Sequence, residues 1–436
     1  MQSVRCDANL VRNITAMASV VAAPASVSRA AASCGRMAAW RVHAYGGLGE
    51  LRLEAARVPP LRAPDQLLVR VEASSVNPID VAMIGGYGRR ALGAWRRLEG
   101  GDGVEFPLIG GRDFCGRVER AGPAARLPRG ARVWGVLPPH WPGAHAQFAV
   151  VRDCWAGPKP PRLGTLAAGG ALYAALTATA ALRAAGLAVG GGAEGARVLV
   201  LGLGGVAQAA LRLLAAARAH AVVGCAADAR EAAGRLGAAA ALDRHAADYE
   251  ERLRGAGPFD AVLDCAGLGG REAAARGWRF ARYVTLTTPL LRETDAAGAL
   301  GAAAAAAELA GQCAAAAAAA RREPAPGQAP ARLLPPHVRW AFFTPSQEDI
   351  ELLYRLAERG LVGHFIIYFY SKNLLLAFSY LRILYVVAKV SKMLGFIFRV
   401  CKQFTSVKEL KKPSLRWCKA TESMHLKSGN PPTRFT

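Results

Sequence analysis

A glycine-rich turn at residues 202–207 has the clearest chemical meaning in the sequence. Gly202, Gly204 and Ala207 follow an apolar run and open a helical pattern, with the spacing G-x-G-x-x-A. The first glycine of such a turn makes a tight bend, the second lets the backbone approach a pyrophosphate, and the small third residue lets helix and strand pack closely. The turn therefore predicts a dinucleotide site. A plain glycine-rich turn is the alternative, since the chain has 47 glycines.

The strand that follows this helix bears on the choice of dinucleotide. An NAD site usually has an acidic residue about 20 positions after the glycines, bonded to the ribose 2′-OH. Here the strand ends in Cys225 and Ala226, and we interpret Asp228 as the cap of the next helix. Arg230 and Arg244 are near in sequence and suit a 2′-phosphate. The pattern therefore favours NADPH over NADH.

The elements around the turn predict an α/β protein with two kinds of sheet. Short β-type runs at 66–76 and 131–137, separated by glycine and proline, indicate a β-rich first part. Residues 196–227 have a strand–turn–helix–strand pattern, which is typical of a parallel, doubly wound sheet. Further strands are predicted at 259–267, 282–288 and 339–343. Residues 296–332 have low complexity; their alanine-rich first part predicts a helix, and the proline-containing remainder predicts a loop.

Several segments together resemble one known family. They are MAAWRVHAYG (37–46), ASSVNPIDVAMIGGYG (73–88), FPLIGGRDFCGRV (106–118), VWGVLPP (133–139), ALTA (175–178), the glycine turn and HVRWAFF (337–343). They resemble the zinc-free, quinone-oxidoreductase-like branch of the medium-chain dehydrogenase/reductases. The resemblance implies a GroES-like β-rich catalytic domain at 40–171 and a Rossmann NADPH-binding domain at 172–344. A truncated return to the catalytic domain follows at 345–362, and the cofactor lies between the two domains.

The same resemblance implies roles for residues on the substrate side. Asn77, Asp80 and Tyr87 would line the substrate, with Tyr87 donating a hydrogen bond to the reduced oxygen. The alternative is that Asn77–Asp80 is a structural turn and Asp80 caps the following helix. Thr177 would contact the nicotinamide, or else be an ordinary hydroxyl at a helix start.

On the cofactor side, the resemblance assigns binding to the turn and to a few residues beyond it. These residues are Thr177, Gly202, Gly204, Gly205, Val206, Ala207, Ala226, Arg244 and Cys265. The turn is one residue shorter than the family's, and Ala207 replaces its last glycine. Ala226, Arg244 and Cys265 stand where the family has serine, tyrosine and asparagine. Because arginine pairs directly with phosphate, the expectation of NADPH remains.

No metal is expected in this chain. The nine cysteines form no C-x-x-C pair, so neither a disulfide framework nor a cysteine zinc cluster is indicated. Zinc-containing members of the wider family carry a cysteine in the segment that is Asn77–Asp80 here, and a His-Glu pair where this chain has Arg112 and Asp113. The resemblance therefore implies hydride transfer from NADPH to a quinone or conjugated carbonyl rather than alcohol dehydrogenation.

The two ends of the chain differ in composition from its body. Residues 1–39 have four arginines and one acid, which predicts a mitochondrial transit peptide; a disordered tail, or a true start at Met37, is the alternative. Residues 363–436 hold nine of the chain's ten lysines and match no part of the family pattern. We interpret them as a non-homologous tail read from an alternative or unspliced exon, which would deprive the catalytic sheet of its last strand.

A membrane span at 365–387 is the less favoured interpretation of the tail, because Lys372, Asn373 and Arg382 interrupt it. An amphipathic or disordered appendage is favoured instead. Of the net charge of +23, the leader carries +3 and the tail +11, which leaves +9 for the body. No nucleic-acid partner is therefore expected.

The partners expected are a quinone or enone substrate, a reticulon-type membrane protein implied by the resemblance, and a second copy in a homodimer. The competing hypothesis is a catalytically impaired nucleotide-binding interaction protein.

Overall fold

The structure is a computed structural model that describes residues 35–99, 105–187, 192–321, 336–362 and the backbone of 368–370. The chain divides into a first compact unit, residues 1–378, and a second, residues 379–436, which lies outside the described residues. The first unit contains two large sheets, one antiparallel and one parallel.

The antiparallel sheet forms the core of the β-rich domain. β3, β4, β5 and β7 are neighbours in that order, β6 also pairs with β3, and β1 and β2 form a separate ribbon. The predicted strands at 66–76 and 131–137 are confirmed as β3 and β5. The elements are β1 (Arg36–Arg41), β2 (Arg52–Arg57), β3 (Gln66–Val76), α1 (Pro78–Ile84), α2 (Arg89–Leu98), β4 (Asp113–Ala121), β5 (Arg132–Val136), β6 (Phe148–Arg152), β7 (Ala156–Pro158) and α3 (Thr165–Ala168).

The parallel sheet has the strand order β10-β9-β8-β11-β12-β13, which is the Rossmann order 3-2-1-4-5-6. The predicted α/β class with a doubly wound sheet is confirmed. A ligand crevice is expected between β8 and β11, where the strand order reverses. The elements are α4 (Leu172–Ala184), β8 (Arg197–Leu201), α5 (Gly205–Ala216), β9 (His220–Cys225), α6 (Arg230–Arg235), β10 (Ala240–Asp243), α7 (Tyr249–Ala256), β11 (Phe259–Asp264), α8 (Gly270–Ala275), β12 (Phe280–Thr285), α9 (Leu290–Ala297), α10 (Ala299–Ala320) and β13 (His337–Trp340).

The alanine-rich segment forms the helix that its composition predicts. Helix α10 packs on α8, α9 and β13. By length and composition alone it is apolar enough to cross a membrane, and the same is true of core helices in soluble proteins. The proline-containing loop predicted after it lies outside the described residues.

Two elements beyond the Rossmann sheet return to the β-rich domain. Helix α11 (Gln347–Glu358) packs against β7 and α4. Its N-cap is Ser346, whose side chain accepts a hydrogen bond from the Asp349 N–H. Strand β14 (Tyr368–Tyr370) pairs antiparallel with the end of β3. The expectation that the tail leaves β3 without this partner is therefore wrong, because three tail residues occupy the edge. The same three residues, within the segment weighed as a spanning helix, form a strand.

The first strand begins before the predicted end of the leader. β1 pairs with β2 through six residue pairs, from Arg36 opposite Arg57 to Arg41 opposite Arg52. Residues 36–39 thus belong to the β1–β2 ribbon rather than to a transit peptide ending at 39. In composition these residues resemble the leader, since they contain arginine and alanine. What distinguishes them from the leader is their pairing with β2, which follows about 15 residues later in the chain. Residues 1–34 lie outside the described residues.

Candidate active site

The glycine turn has the geometry that its sequence predicts. Gly202 follows β8 with a φ of +88°, a conformation that residues with a Cβ rarely adopt. Gly204 is the N-cap of α5, and a Cβ placed there would meet open space. Ala207 is fully buried, with 0% exposure, where the helix packs on the sheet. The turn thus leaves an open approach to the backbone at Gly204.

The first turn of α5 faces this open space. Gly205 and Val206 are half-buried, and the N–H groups of a first helical turn have no intrahelical acceptor. The Gln208 side chain donates to the Leu203 carbonyl at 3.0 Å, which fixes the turn in place. These residues fit the pyrophosphate of a dinucleotide, which would rest on the Gly204 backbone and the N-terminus of α5.

The end of β9 lacks an acidic residue. Ala226 follows the strand, and the Arg244 N–H donates to the Cys225 carbonyl at 2.9 Å, so Arg244 lies beside the strand end. Burial raises the pKa of the Cys225 thiol, and Asp243, which lies opposite Cys225 on β10, raises it further, while Arg230 and Arg244 oppose the rise. The cap of α6 is Ala229 and makes no side-chain capping bond, so the assignment of Asp228 as that cap is wrong.

Cys265 lies at the end of β11, across the crevice from the glycine turn. Its N–H donates to the Leu201 carbonyl at 3.2 Å, and burial raises the pKa of its thiol to about 12. Cys265 is therefore a neutral thiol at neutral pH. The preceding Asp264 shapes this turn by accepting four backbone N–H groups, from Ala266, Gly267, Leu268 and Gly269.

Asn77 and Asp80 are buried and form a capping box at the start of α1. The Asn77 N–H donates to Asp80 Oδ2 at 2.8 Å, and the Asn77 side chain accepts in return. Asp80 Oδ1 also accepts the Gly111 N–H at 2.7 Å. These contacts agree with the alternative interpretation, in which Asn77–Asp80 is a structural turn and Asp80 caps the helix that follows.

Arg112 is a fully buried charged side chain in the β-rich domain, and its structural role was not predicted from the sequence. It has 0% exposure and donates from Nε to Asp80 Oδ1 at 3.3 Å. Nη1 donates to the Pro138 and Trp141 carbonyls at 2.7 and 3.0 Å, and Nη2 to the Ile109 carbonyl at 3.0 Å. One guanidinium thus joins two loops, the one before β4 and the one between β5 and β6, to the segment that holds Asn77 and Asp80.

Asp113 lies beside this network. Its Oδ2 accepts from Ser75 Oγ at 2.6 Å and from Asn77 Nδ2 at 3.0 Å, while Oδ1 accepts the Tyr173 N–H at 2.5 Å. Burial raises the pKa of Asp113 to about 6, and the hydrogen bonds from Ser75 and Asn77 oppose that rise. Asp113 therefore connects β4 with the first turn of α4.

The raised pKa of Asp113 makes stability depend on pH. A carboxyl whose pKa rises on folding favours the folded state below its unfolded pKa, near 4, and loses that contribution as the pH rises through about 6. Between pH 4 and pH 7 we expect wild type to lose up to about 3 kcal/mol of unfolding free energy relative to the Asp113→Asn variant, which has no carboxyl to titrate at this position. Urea unfolding at four pH values measures it. A difference that stays constant would contradict the raised pKa.

Tyr87 is half-buried and faces helix α9 of the Rossmann domain. Burial is the largest cause that raises its pKa, and Asp295 adds to the rise while Arg292 opposes it. The hydroxyl therefore stays protonated at neutral pH and can donate a hydrogen bond. Asp295 accepts the Gly88 N–H at 2.6 Å and the Arg90 N–H at 2.9 Å, so it caps α2 across a separation of about 200 residues.

Removing the Asp295 carboxylate should loosen the segment that holds Tyr87. We expect Asp295→Asn to lower the free energy of unfolding by about 1–2 kcal/mol, because one of two charge-assisted bonds to backbone N–H groups loses its acceptor. The midpoint of urea unfolding measures it. Glu293→Gln on the same helix is the matched control, since it affects only an exposed ion pair with Arg292. Equal midpoints for the two variants would contradict the capping role.

Thr177 is buried in the second turn of α4, and its hydroxyl donates to the Tyr173 carbonyl at 2.7 Å. The alternative of a hydroxyl at the helix start is therefore wrong. Helix α4 packs against α5, which starts at the glycine turn. Burial raises the pKa of Tyr173, with Asp80, Asp113 and Tyr87 adding to the rise and Arg112 opposing it, so these groups lie near Tyr173. The predicted substrate-side residues and Thr177 thus share one neighbourhood.

Among the described residues, no group of three or more His, Cys, Asp or Glu side chains could hold a metal ion.

The chain is similar to known proteins in sequence and in fold. Residues 63–182 match the alcohol dehydrogenase GroES-like domain. "NAD(P)H oxidoreductase RTN4IP1, mitochondrial" of Drosophila melanogaster is 37% identical over 75% of this chain and 78% of its own length. The Homo sapiens protein of that name is 37% identical over 60% and 68%. A solved quinone oxidoreductase from Coxiella burnetii has a TM-score of 0.56 at 20% identity, covering 75% of this chain and 89% of its own.

The fold and site define a two-domain oxidoreductase with a nicotinamide cofactor. More particularly, the chain belongs to the zinc-free, quinone-oxidoreductase-like family of medium-chain dehydrogenase/reductases, with the mitochondrial NAD(P)H oxidoreductases RTN4IP1 among its relatives. The mitochondrial location predicted from the leader is confirmed by the names that these relatives carry.

Proposed function

We propose that this protein transfers a hydride from NADPH to a quinone or conjugated carbonyl without a metal. The observation that carries the proposal is the pairing of an open glycine turn at Gly204 with a strand end, at Ala226, that has Arg244 beside it and no acidic residue of its own. The turn suits any dinucleotide, and the arginine favours the one with a 2′-phosphate.

The residues of the β-rich domain supply position and polarity. When bound, NADPH supplies the hydride. Hydride addition to a conjugated carbonyl places negative charge on the carbonyl oxygen, and the protonated Tyr87 hydroxyl can donate to it. Asp295 holds the backbone next to Tyr87, while Arg112 and Asp80 fix the turn that carries Asn77. We propose that this chain works without zinc, because Arg112, at the position where zinc-containing members carry a metal-binding pair, donates its guanidinium to Asp80 and to three backbone carbonyls.

Reduction by NADPH is tested with purified protein and a panel of short-chain quinones and enones. We expect NADPH oxidation that depends on both protein and acceptor. The competing function, an interaction protein of the reticulon-binding type, is favoured by the burial of Asn77 and Asp80 in structural bonds. NADPH binding without oxidation of NADPH by any acceptor would support that function and overturn ours.

Arg244 should determine the preference between cofactors. We expect Arg244→Ala to weaken NADPH binding by about tenfold and to leave NADH binding unchanged, because only NADPH has the phosphate that a guanidinium pairs. Calorimetric titration of the protein with each cofactor measures both dissociation constants. Arg252→Ala, which removes an exposed arginine of α7, is the control. An equal loss for NADPH and NADH would place the phosphate elsewhere.

A further inference from the structure

The β-rich domain contains a cavity of about 520 Å³ that lies apart from the cofactor crevice. It is lined by the β1–β2 ribbon, the end of α2 and the segments 59–66, 105–109, 140–143 and 148–150, and by none of the residues assigned to cofactor or substrate. Its volume is in the range of small-molecule sites, about 300–1,000 Å³. Its apolar wall includes Phe106, Leu108, Ile109, Trp141 and Phe148.

One end of this cavity holds buried polar atoms that lack hydrogen bonds. His140 is 2% exposed; its Nε2 pairs with Glu99 Oε2 at 3.2 Å, whereas its Nδ1 has no hydrogen-bond partner among the described residues. Arg96 donates from Nε to the His140 carbonyl at 3.1 Å, but its buried Nη1 has no partner in the same part of the chain. Unsatisfied buried groups of this kind are costly and point to a ligand.

The charges around the cavity favour an anion. Four arginines and two glutamates line it, and Arg41 is already paired with Glu54 at 3.1 Å. Glu99 accepts from Trp95 Nε1 at 3.0 Å and lies 3.8 Å from Arg152. Arg57 and Arg62 are exposed at the cavity. The buried Nη1 of Arg96 and these two guanidinium groups therefore remain for a ligand.

We propose that this cavity binds an amphipathic organic anion, an aliphatic carboxylate of medium chain length. The alkyl chain lies against the wall formed by Phe106, Ile109 and Phe148, and the carboxylate accepts from Arg96 Nη1, with the exposed Arg57 and Arg62 guanidinium groups adding positive charge at the cavity. Because the cavity shares no residue with the glycine turn, this binding does not require NADPH.

Decanoate, used below its micelle concentration, is the probe for the full chain. We expect saturable one-site binding by calorimetry, and binding of decyltrimethylammonium that is about tenfold weaker or undetectable. Decanol, with the same chain and no charge, should be intermediate. Equal binding of the anion and the cation, or no saturable binding of decanoate, would overturn the proposal.

Three variants locate the site. Arg96→Met should weaken decanoate binding about tenfold, and Arg62→Gln at the exposed rim should weaken it about twofold. Ile109→Trp should block decanoate binding by filling the cavity. Unchanged decanoate binding in Arg96→Met and Ile109→Trp would overturn the proposal. An unchanged NADPH-induced rise in melting temperature shows that a variant is folded. Decanoate binding without NADPH binding would instead overturn only the proposed function.

Discussion

Replacing Arg112 with methionine is expected to lower the free energy of unfolding by about 3–5 kcal/mol, the cost of breaking a buried ion pair from one side. The change leaves the Asp80 carboxylate without its buried partner, and it removes donors from the carbonyls of Ile109, Pro138 and Trp141. Methionine fills a similar length, so the loss comes mainly from charge and hydrogen bonds rather than from a cavity.

Urea unfolding measures this loss, and Arg117→Met is the matched control on the same segment of chain. The Arg117 side chain donates to the Gly130 carbonyl in an exposed position, so its change should stay within about 0.5 kcal/mol. If Arg112→Met unfolds within about 1 kcal/mol of wild type, the buried guanidinium does not hold these loops together.

Tyr87→Phe is expected to lower kcat by about 10²-fold while leaving the NADPH dissociation constant unchanged. The variant keeps the ring and removes only the hydroxyl that we place against the developing negative charge, and loss of one such donor has an effect of this size. Because burial raises the pKa of Tyr87, the ratio of the two rates should not change between pH 6 and pH 8.

Tyr45→Phe is the control for this change. The Tyr45 ring packs against Gly86, next to Tyr87, so the variant removes a hydroxyl from the same neighbourhood. It should retain kcat within about threefold, because we assign no contact with substrate to it. A Tyr87→Phe enzyme as active as Tyr45→Phe would mean that another group donates to the substrate oxygen.

The sequence was most informative where the local pattern determines the structure. β3 and the strand–turn–helix unit around Gly202 were predicted because hydrophobic period and glycine position act over a few residues. The alanine helix α10 followed from intrinsic propensity.

Contacts between distant residues could not be predicted in the same way. Asp295 caps α2 from about 200 residues away, and Arg112 binds carbonyls of loops that its own sequence does not mark. The start of β1 was missed because only pairing with β2 separates Arg36 from the leader. The tail strand β14 was missed because its composition differs from that of the body, although any extended backbone can pair with an open edge.

Transfer of deuterium from C4-labelled NADPH to an enone tests the central proposal most directly. An enone is chosen because a hydride added at its β-carbon forms a C–H bond that does not exchange with water. With full-length protein and each of the two C4-deuterated NADPH stereoisomers, we expect one isomer to give product with one deuterium at the β-carbon by mass spectrometry. Bound NADPH that reduces neither the enone nor any quinone, or enone product that carries no deuterium from either isomer, would contradict the proposal.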